Sequence, residues 1–195
     1  MEKEKTTPLG KSEREEPERF IPDGMGMFQR NVKRIGDCAL AFLALIVFSP
    51  LFLLCYIAVK REDGGPAIFK QERIGRFGRP FNIYKFRSMY MDAEERKKEL
   101  MKQNRVSDGL MFKMENDPRV IGSEKGPGKG IGNFIRKTSL DELPQFFNVL
   151  KGDMSLIGTR PPTVDEWEKY ELHHRARMAI KPGLTGMWQV SGRSD

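Results

Sequence analysis

Cysteine and histidine are scarce in this chain, with two of each in 195 residues. Cys38 and Cys55 stand seventeen residues apart inside one apolar stretch. That spacing makes neither a zinc pattern nor a disulfide framework, so both read as small buried hydrophobes. His173 and His174 adjoin each other in a charged stretch and read as a solvated helix face. A dinucleotide-binding glycine fingerprint and an internal repeat are also missing. No secretory leader is expected, because the first apolar stretch starts about thirty-five residues in and carries no small-residue cleavage site.

What the chain does have is positive charge. It carries 34 Lys and Arg against 27 Asp and Glu, a formal net charge of +7. Such a balance calls for an anionic partner: nucleic acid, an anionic membrane surface or a phosphorylated substrate. The length suits one domain with an appendage.

Residues 38–59 contain no charged side chain. As a helix this stretch would run roughly 33 Å, enough to cross a ~30 Å hydrocarbon core. Ser49-Pro50 sits at its midpoint, where proline frees the carbonyl of Ile46 and a serine hydroxyl can satisfy it again. Both flanks are basic: Arg30, Lys33 and Arg34 before, Lys60 and Arg61 after. The positive-inside bias then places both ends on one side. A helix-break-helix hairpin meets both observations, and a kinked span remains open beside it.

Residues 1–19 are charged and poor in apolar side chains, which predicts a disordered leader, and residues 20–34 read as an amphipathic lead-in. Ala67 to Phe69 and Phe81 to Tyr84 read as short strands around a Gly/Arg-rich loop. Residues 92–104 predict a charged, solvated helix, and residues 122–132 a Gly/Lys/Pro loop. A helix is expected from Ser139 to about Gly152, and another from Glu166 to Met178. The Lys181-Pro-Gly-Leu-Thr-Gly stretch reads as a loop. The fold class expected is α+β and helix-dominated: a membrane-associated segment over residues 28–61, behind the leader of 1–27, plus a small part with short strands over 62–195.

The candidate site is Ser139-Leu-Asp-Glu-Leu-Pro-Gln145, which sets Asp141 and Glu142 just behind Arg136 and Lys137. Ser139-x-x-Glu142 fits a capping box, so the two acids read equally as a helix start. Pro144 sits awkwardly in that reading. The same residues suit phosphate chemistry, with Glu142 holding Mg²⁺ or a carboxylate acting as nucleophile. Lys85 and Arg87 alternate with apolar neighbours and would share a strand face, as a basic stripe or a phosphate contact. Arg160, in Gly158-Thr-Arg-Pro-Pro162, sits in a stiff turn where a guanidinium could grip phosphate.

With these residues in view, the chain from about Phe28 to its end resembles the bacterial sugar transferases, the monotopic phosphoglycosyl transferases. The resemblance rests on ordered motifs: Lys33-Arg34, Ser49-Pro50 and Ile83-Tyr-Lys-Phe-Arg-Ser-Met89 in the first half. Arg136-Lys-Thr-Ser-Leu-Asp-Glu-Leu-Pro-Gln145, Lys151-Gly-Asp-Met-Ser-Leu-Ile-Gly158 with Arg160-Pro161, and Lys181-Pro-Gly-Leu-Thr-Gly186 through Gln189 to Gly192-Arg193 follow. It implies a re-entrant hairpin broken at Ser49-Pro50 on the cytoplasmic face of the bacterial inner membrane. It also implies that Asp141 attacks a UDP-sugar, releases UMP and passes the sugar phosphate to polyprenol phosphate, the first membrane step of polysaccharide assembly. In this scheme Glu142 binds Mg²⁺, while Lys85, Arg87, Arg136, Arg160, Gln189 and Arg193 contact phosphate or nucleotide. The partners implied are UDP-sugar, polyprenol phosphate and a phospholipid membrane, without nucleic acid and with a homodimer left open. The competing expectation is a membrane-anchored basic domain that binds anionic lipid or nucleic acid without catalysis.

The chain departs from the pattern at Thr159, where many relatives have proline, and stops at Ser194-Asp195, where relatives continue, so a truncated form is expected. The sequence around Asp108 to Val120 and the Trp188 to Arg193 ending lean toward galactose or glucose as the sugar.

Overall fold

The computed structural model describes residues 24–93, 95–96 and 117–187. The expected helix over 92–104 lies mostly outside these residues, as do Gln189 and Arg193. Within them the fold is helix-rich with a few short strands.

The long apolar stretch forms two helices, not one. Helix α1 (Met27–Val47) stops at Phe48, and α2 (Ser49–Asp63) leaves after a bend of 63°. Pro50 lies in the first turn of α2, where its missing N–H costs nothing. The Ser49 hydroxyl donates to the Ile46 carbonyl at 2.8 Å, so the group freed by the break is satisfied as the sequence suggested. Gly64, at φ 71, ends α2 with its N–H on the Lys60 carbonyl. Leu40, Phe42, Leu43, Ile46, Val47, Leu53 and Leu54 are each more than half exposed, so the hairpin turns its apolar surface outward. Among the described residues no single helix is long and apolar enough to cross a membrane, and the bent pair meets that test together by length and composition alone.

Strands β1 (Ile68–Ile74) and β2 (Pro80–Phe86) pair antiparallel from Ile68↔Phe86 to Ile74↔Pro80, longer than their apolar cores predicted. Helix α3 (Ile131–Lys137) follows, then a 3₁₀ turn at Leu140–Glu142, then α4 (Gln145–Lys151). The glycine-rich loop over 122–132 therefore contains a helix start, and the expected helix from Ser139 begins six residues later. Strand β3 (Ser155–Ile157) pairs in parallel with β4 (Gly183–Thr185), which lies in the stretch read as a loop. A Cβ on Gly183 would lie 2.0 Å from the Gly158 backbone nitrogen, so only glycine permits this approach.

The helix expected over 166–178 is interrupted. Thr163 caps α5 (Val164–Glu168), receiving the Glu166 N–H while the Glu166 carboxylate takes the Thr163 N–H. Glu171 then starts a separate α6 (Leu172–Arg175), and a 3₁₀ turn (Ala176–Ala179) ends the segment. Two starts with caps of their own replace one helix.

Two cores hold these elements. Cys55 and Val59 of α2 pack with Ala67, Phe86, Ile121 and Ile135, while Ala41 of α1 packs with Ile83, Val149 and Met154. The hairpin joins them, because Phe86 belongs to the first and Ile83 to the second. Buried Asn148 of α4 closes the open edge of β2: its side chain accepts from the Tyr84 N–H at 3.0 Å and donates to the Asn82 carbonyl at 2.7 Å.

Lys33 and Arg34, expected as membrane-flanking charges, dock α1 on the rest of the fold. The Arg34 guanidinium donates to the Val149 and Leu150 carbonyls at the end of α4. The Lys33 ammonium pairs with Asp37 at 3.0 Å and reaches the Ser155 hydroxyl. Ser155 in turn donates to Asp37 at 2.7 Å, and the Leu156 N–H reaches the same carboxylate at 3.3 Å.

Candidate active site

Asp141 and Glu142 lie in the 3₁₀ turn between α3 and α4. Its apolar residues fix it: Leu140 and Leu143 pack on the α2 core, and Phe146 packs on the α1 core. In a 3₁₀ turn residues three apart eclipse, so Leu140 and Leu143 point inward together and leave the acids between them at the surface. Ser139 enters the turn with φ 58, a left-handed backbone rare for a residue with a side chain.

The capping-box expectation is not met. The Ser139 side chain makes no cap hydrogen bond. The Glu142 carboxylate goes instead to the Lys85 ammonium, at 3.0 Å. Pro144 resolves as the residue just before α4, a position that needs no backbone donor.

Lys85 reaches this turn from β2, fifty-seven residues away in sequence. Arg136 stands in the last turn of α3, exposed, and its charge acts on Asp141. Burial pushes the Asp141 carboxyl up from 3.8 to about 6, and the Glu142 charge adds to that, against the opposing pull of Lys85 and Arg136. The turn thus carries one carboxylate held by an ion pair and one with an elevated proton affinity.

Arg87 follows the end of β2 at Phe86, and its N–H continues the pairing by donating to the Ala67 carbonyl at 2.8 Å. It is 5% exposed, its guanidinium 2.9 Å from where a Cβ on Gly65 would stand. Arg160 is half-exposed and pairs loosely with Glu166 at 3.5 Å. Its Arg-Pro turn is tied to β1 by the Arg73 guanidinium on the Pro161 carbonyl (3.2 Å) and the Ile74 N–H on the Pro162 carbonyl (3.0 Å). Burial and the Arg160 charge lower the Arg73 pKa, while Glu166 and Glu142 oppose them, which places Arg73 within electrostatic reach of the site.

Sequence reasoning missed a buried pair, Arg119 with Asp117, at 2.6 Å. Burial works to raise the Asp117 carboxyl, but hydrogen bonds from Arg119, with the charges of Arg119 and Arg136, hold it below the usual carboxylate range. Asp117-Pro-Arg119 carried no signal beyond adjacent opposite charges. Ser49 and Pro50 sit at the hairpin break, and Lys33 and Arg34 at its root, away from the acidic turn.

As a donor set for a divalent cation, Asp141 and Glu142 offer hard carboxylate oxygens. Mg²⁺ typically takes one or two such groups and fills its other positions with water and substrate phosphate, so the set fits. The only cluster of three or more metal-ligating side chains among the described residues is elsewhere: Glu171, His173 and His174, all exposed.

The sequence model of the family described as "Bacterial sugar transferase" matches residues 28–195. The chain is 55% identical over 165 residues to the "Galactosyl transferase CpsE" of Streptococcus agalactiae serotype III, covering 84% of this chain and 34% of that protein. It is 48% identical over 169 residues to the "Undecaprenyl-phosphate galactose phosphotransferase" of Salmonella typhimurium, covering 85% and 34%. It is 41% identical over 182 residues to the "Exopolysaccharide production protein ExoY" of Sinorhizobium fredii, covering 90% and 77%. The chain therefore spans about a third of the length of the first two relatives and most of the third.

Proposed function

Because the chain belongs to the bacterial sugar transferase family, we propose that it transfers a sugar-1-phosphate from a UDP-sugar to polyprenol phosphate, as a phosphoglycosyl transferase. The observation that carries this reading is Asp141: a half-buried carboxylate of raised basicity, beside a second carboxylate and within reach of Lys85 and Arg136. Basicity and partial desolvation favour a carboxylate nucleophile.

In the first step an Asp141 oxygen attacks the sugar-bearing phosphorus. The bond from that phosphorus to the oxygen of the UMP phosphate breaks, UMP leaves with the electron pair, and an acyl phosphosugar remains. In the second step an oxygen of the lipid phosphate attacks the same phosphorus. The bond to Asp141 breaks, the carboxylate is restored, and a polyprenyl diphosphate sugar departs. Arg136 and Lys85 hold charge on the transferring phosphate, and Arg160 and Arg73 serve the outer phosphate or nucleotide. Glu142 would hold Mg²⁺, which would supply charge neutralisation for the diphosphate.

A two-step route suits a site where one substrate is soluble and the other lies in a bilayer, because each uses the site in turn. The outward apolar face of the bent helix pair supports a re-entrant seat in the membrane, the relatives named for undecaprenyl phosphate support a membrane location, and the cytoplasmic face of the bacterial inner membrane is part of the proposal. Galactose or glucose is the sugar most consistent with the relatives' names. The test is UMP release across a panel of UDP-sugars, with Mg²⁺ present and with it chelated. Release from a UDP-hexose that needs Mg²⁺ and lipid phosphate for turnover supports the reading, and no release from any UDP-sugar overturns it.

A further inference from the structure

A groove of about 680 Å³ opens along α4 and is not used by the chemistry above. Phe52 of α2, Ile68 of β1 and Phe147 of α4 form its apolar wall, and Pro144, two residues after Glu142 in sequence, also lines it. Lys70 and Lys151 flank Tyr84 at the rim, with their ammonium groups 5.8 and 5.3 Å from the ring centroid. The volume falls within the ~300–1,000 Å³ usual for small-ligand sites.

Two observations say what fits it. The wall is continuous with the exposed apolar face of the hairpin. Phe52 packs edge-on to Phe147 at 6.1 Å, its neighbours Leu53 and Leu54 are exposed, and Phe147 itself is 46% exposed. The rim carries Lys70 and Lys151, the latter also paired with Asp153 at 3.3 Å, so the ligand that fits is anionic at one end and apolar along the other. A lipid monophosphate has that shape.

We propose that this groove seats the part of the acceptor's hydrocarbon chain nearest its phosphate, with Lys70 and Lys151 drawing in the phosphate. The proposal rests on the transferase reading and goes beyond it by making Phe52, Ile68 and Phe147 readers of the acceptor's tail. Chain length is then sensed by the protein itself, not only by partition into the bilayer.

The experiment compares wild type, Phe147→Ser and Phe147→Leu with two prenyl monophosphates, one long and one short, at fixed lipid fraction in detergent micelles. Acceptor-free UMP release is measured first and counts competent enzyme in each preparation. No UMP from wild type either with or without acceptor would overturn the transferase reading itself, separately from the groove. The expected result is a KM for the long acceptor about tenfold higher in Phe147→Ser, recovered in Phe147→Leu, with the short acceptor little changed. An unchanged KM for the long acceptor overturns the groove. So does an equal rise for both acceptors. Loss of vesicle binding by Phe147→Ser with KM intact would also overturn it, because bulk phospholipid would then be the occupant.

Discussion

Two clusters of acid and base occupy opposite ends of α4, and they are built differently. At the root of α1, Asp37 is 9% exposed and saturated: Lys33, the Ser155 hydroxyl and the Leu156 N–H all converge on it. At the 3₁₀ turn, Glu142 has one cation, and Asp141 is left partly desolvated with its carboxyl pushed up to about 6. The first arrangement spends its charge on holding a helix in place. The second leaves a carboxylate with raised proton affinity, the one proposed to react.

The largest expected effect lies on the poised side. Asp141→Asn should lower UMP release at least about 10³-fold, since it removes the attacking oxygen while keeping the shape. Lys85→Met should lower kcat/KM by roughly 10²-fold, by taking a cation from Glu142 and from the transferring phosphate. If Lys85→Met left the rate intact, the ion pair would be structural and the contrast between the two clusters would fail.

On the saturated side the readout is stability. Asp37→Ala strips the partner from Lys33 and Ser155, and should cost on the order of 2 kcal/mol in chemical unfolding. UMP release per folded molecule should change little. A catalytic defect as large as that of Lys85→Met would show that the helix root belongs to the chemistry.

The smallest effect is also the most specific. A carboxyl whose folded pKa exceeds its unfolded value favours folding when protonated. The Asp141 contribution is therefore fully present below about 3.8 and is lost as pH rises through about 6. Asp141→Asn should match wild type in thermal unfolding at pH 4 and exceed it, by on the order of 1–2 kcal/mol, at pH 8. Asp37→Ala should show no such gain. An Asp141→Asn protein less stable than wild type at pH 8 would contradict the poised carboxylate.

Much of this contrast could be read from the sequence in part only. The Ser49-Pro50 break and the Ile46 carbonyl it frees were legible, because proline acts on its own turn. The strands were legible but short, because the polar ends of β1 and β2 gave no apolar alternation. Strands β3 and β4 were not, since three-residue parallel strands depend on a backbone approach that Gly158 and Gly183 permit only in three dimensions. The Ser139-x-x-Glu142 spacing suggested a local cap, and a lysine far along the chain took the carboxylate instead. The capping box present in the structure, Thr163 with Glu166, passed unremarked. Asp37, Asn148 and the Asp117–Arg119 pair stayed hidden, because each is defined by burial or by distant partners. Acidic pairs can be found locally, whereas which member is neutralised is decided by the fold.

The most direct test of Asp141 as nucleophile is intact-protein mass spectrometry after incubation with UDP-sugar and Mg²⁺ without lipid acceptor. The account predicts an added mass of one hexose phosphate on wild type, mapping to the peptide that carries Asp141, absent from Asp141→Asn and discharged when polyprenol phosphate is added. UMP formed only when the lipid is present, with wild type never gaining mass, would contradict it.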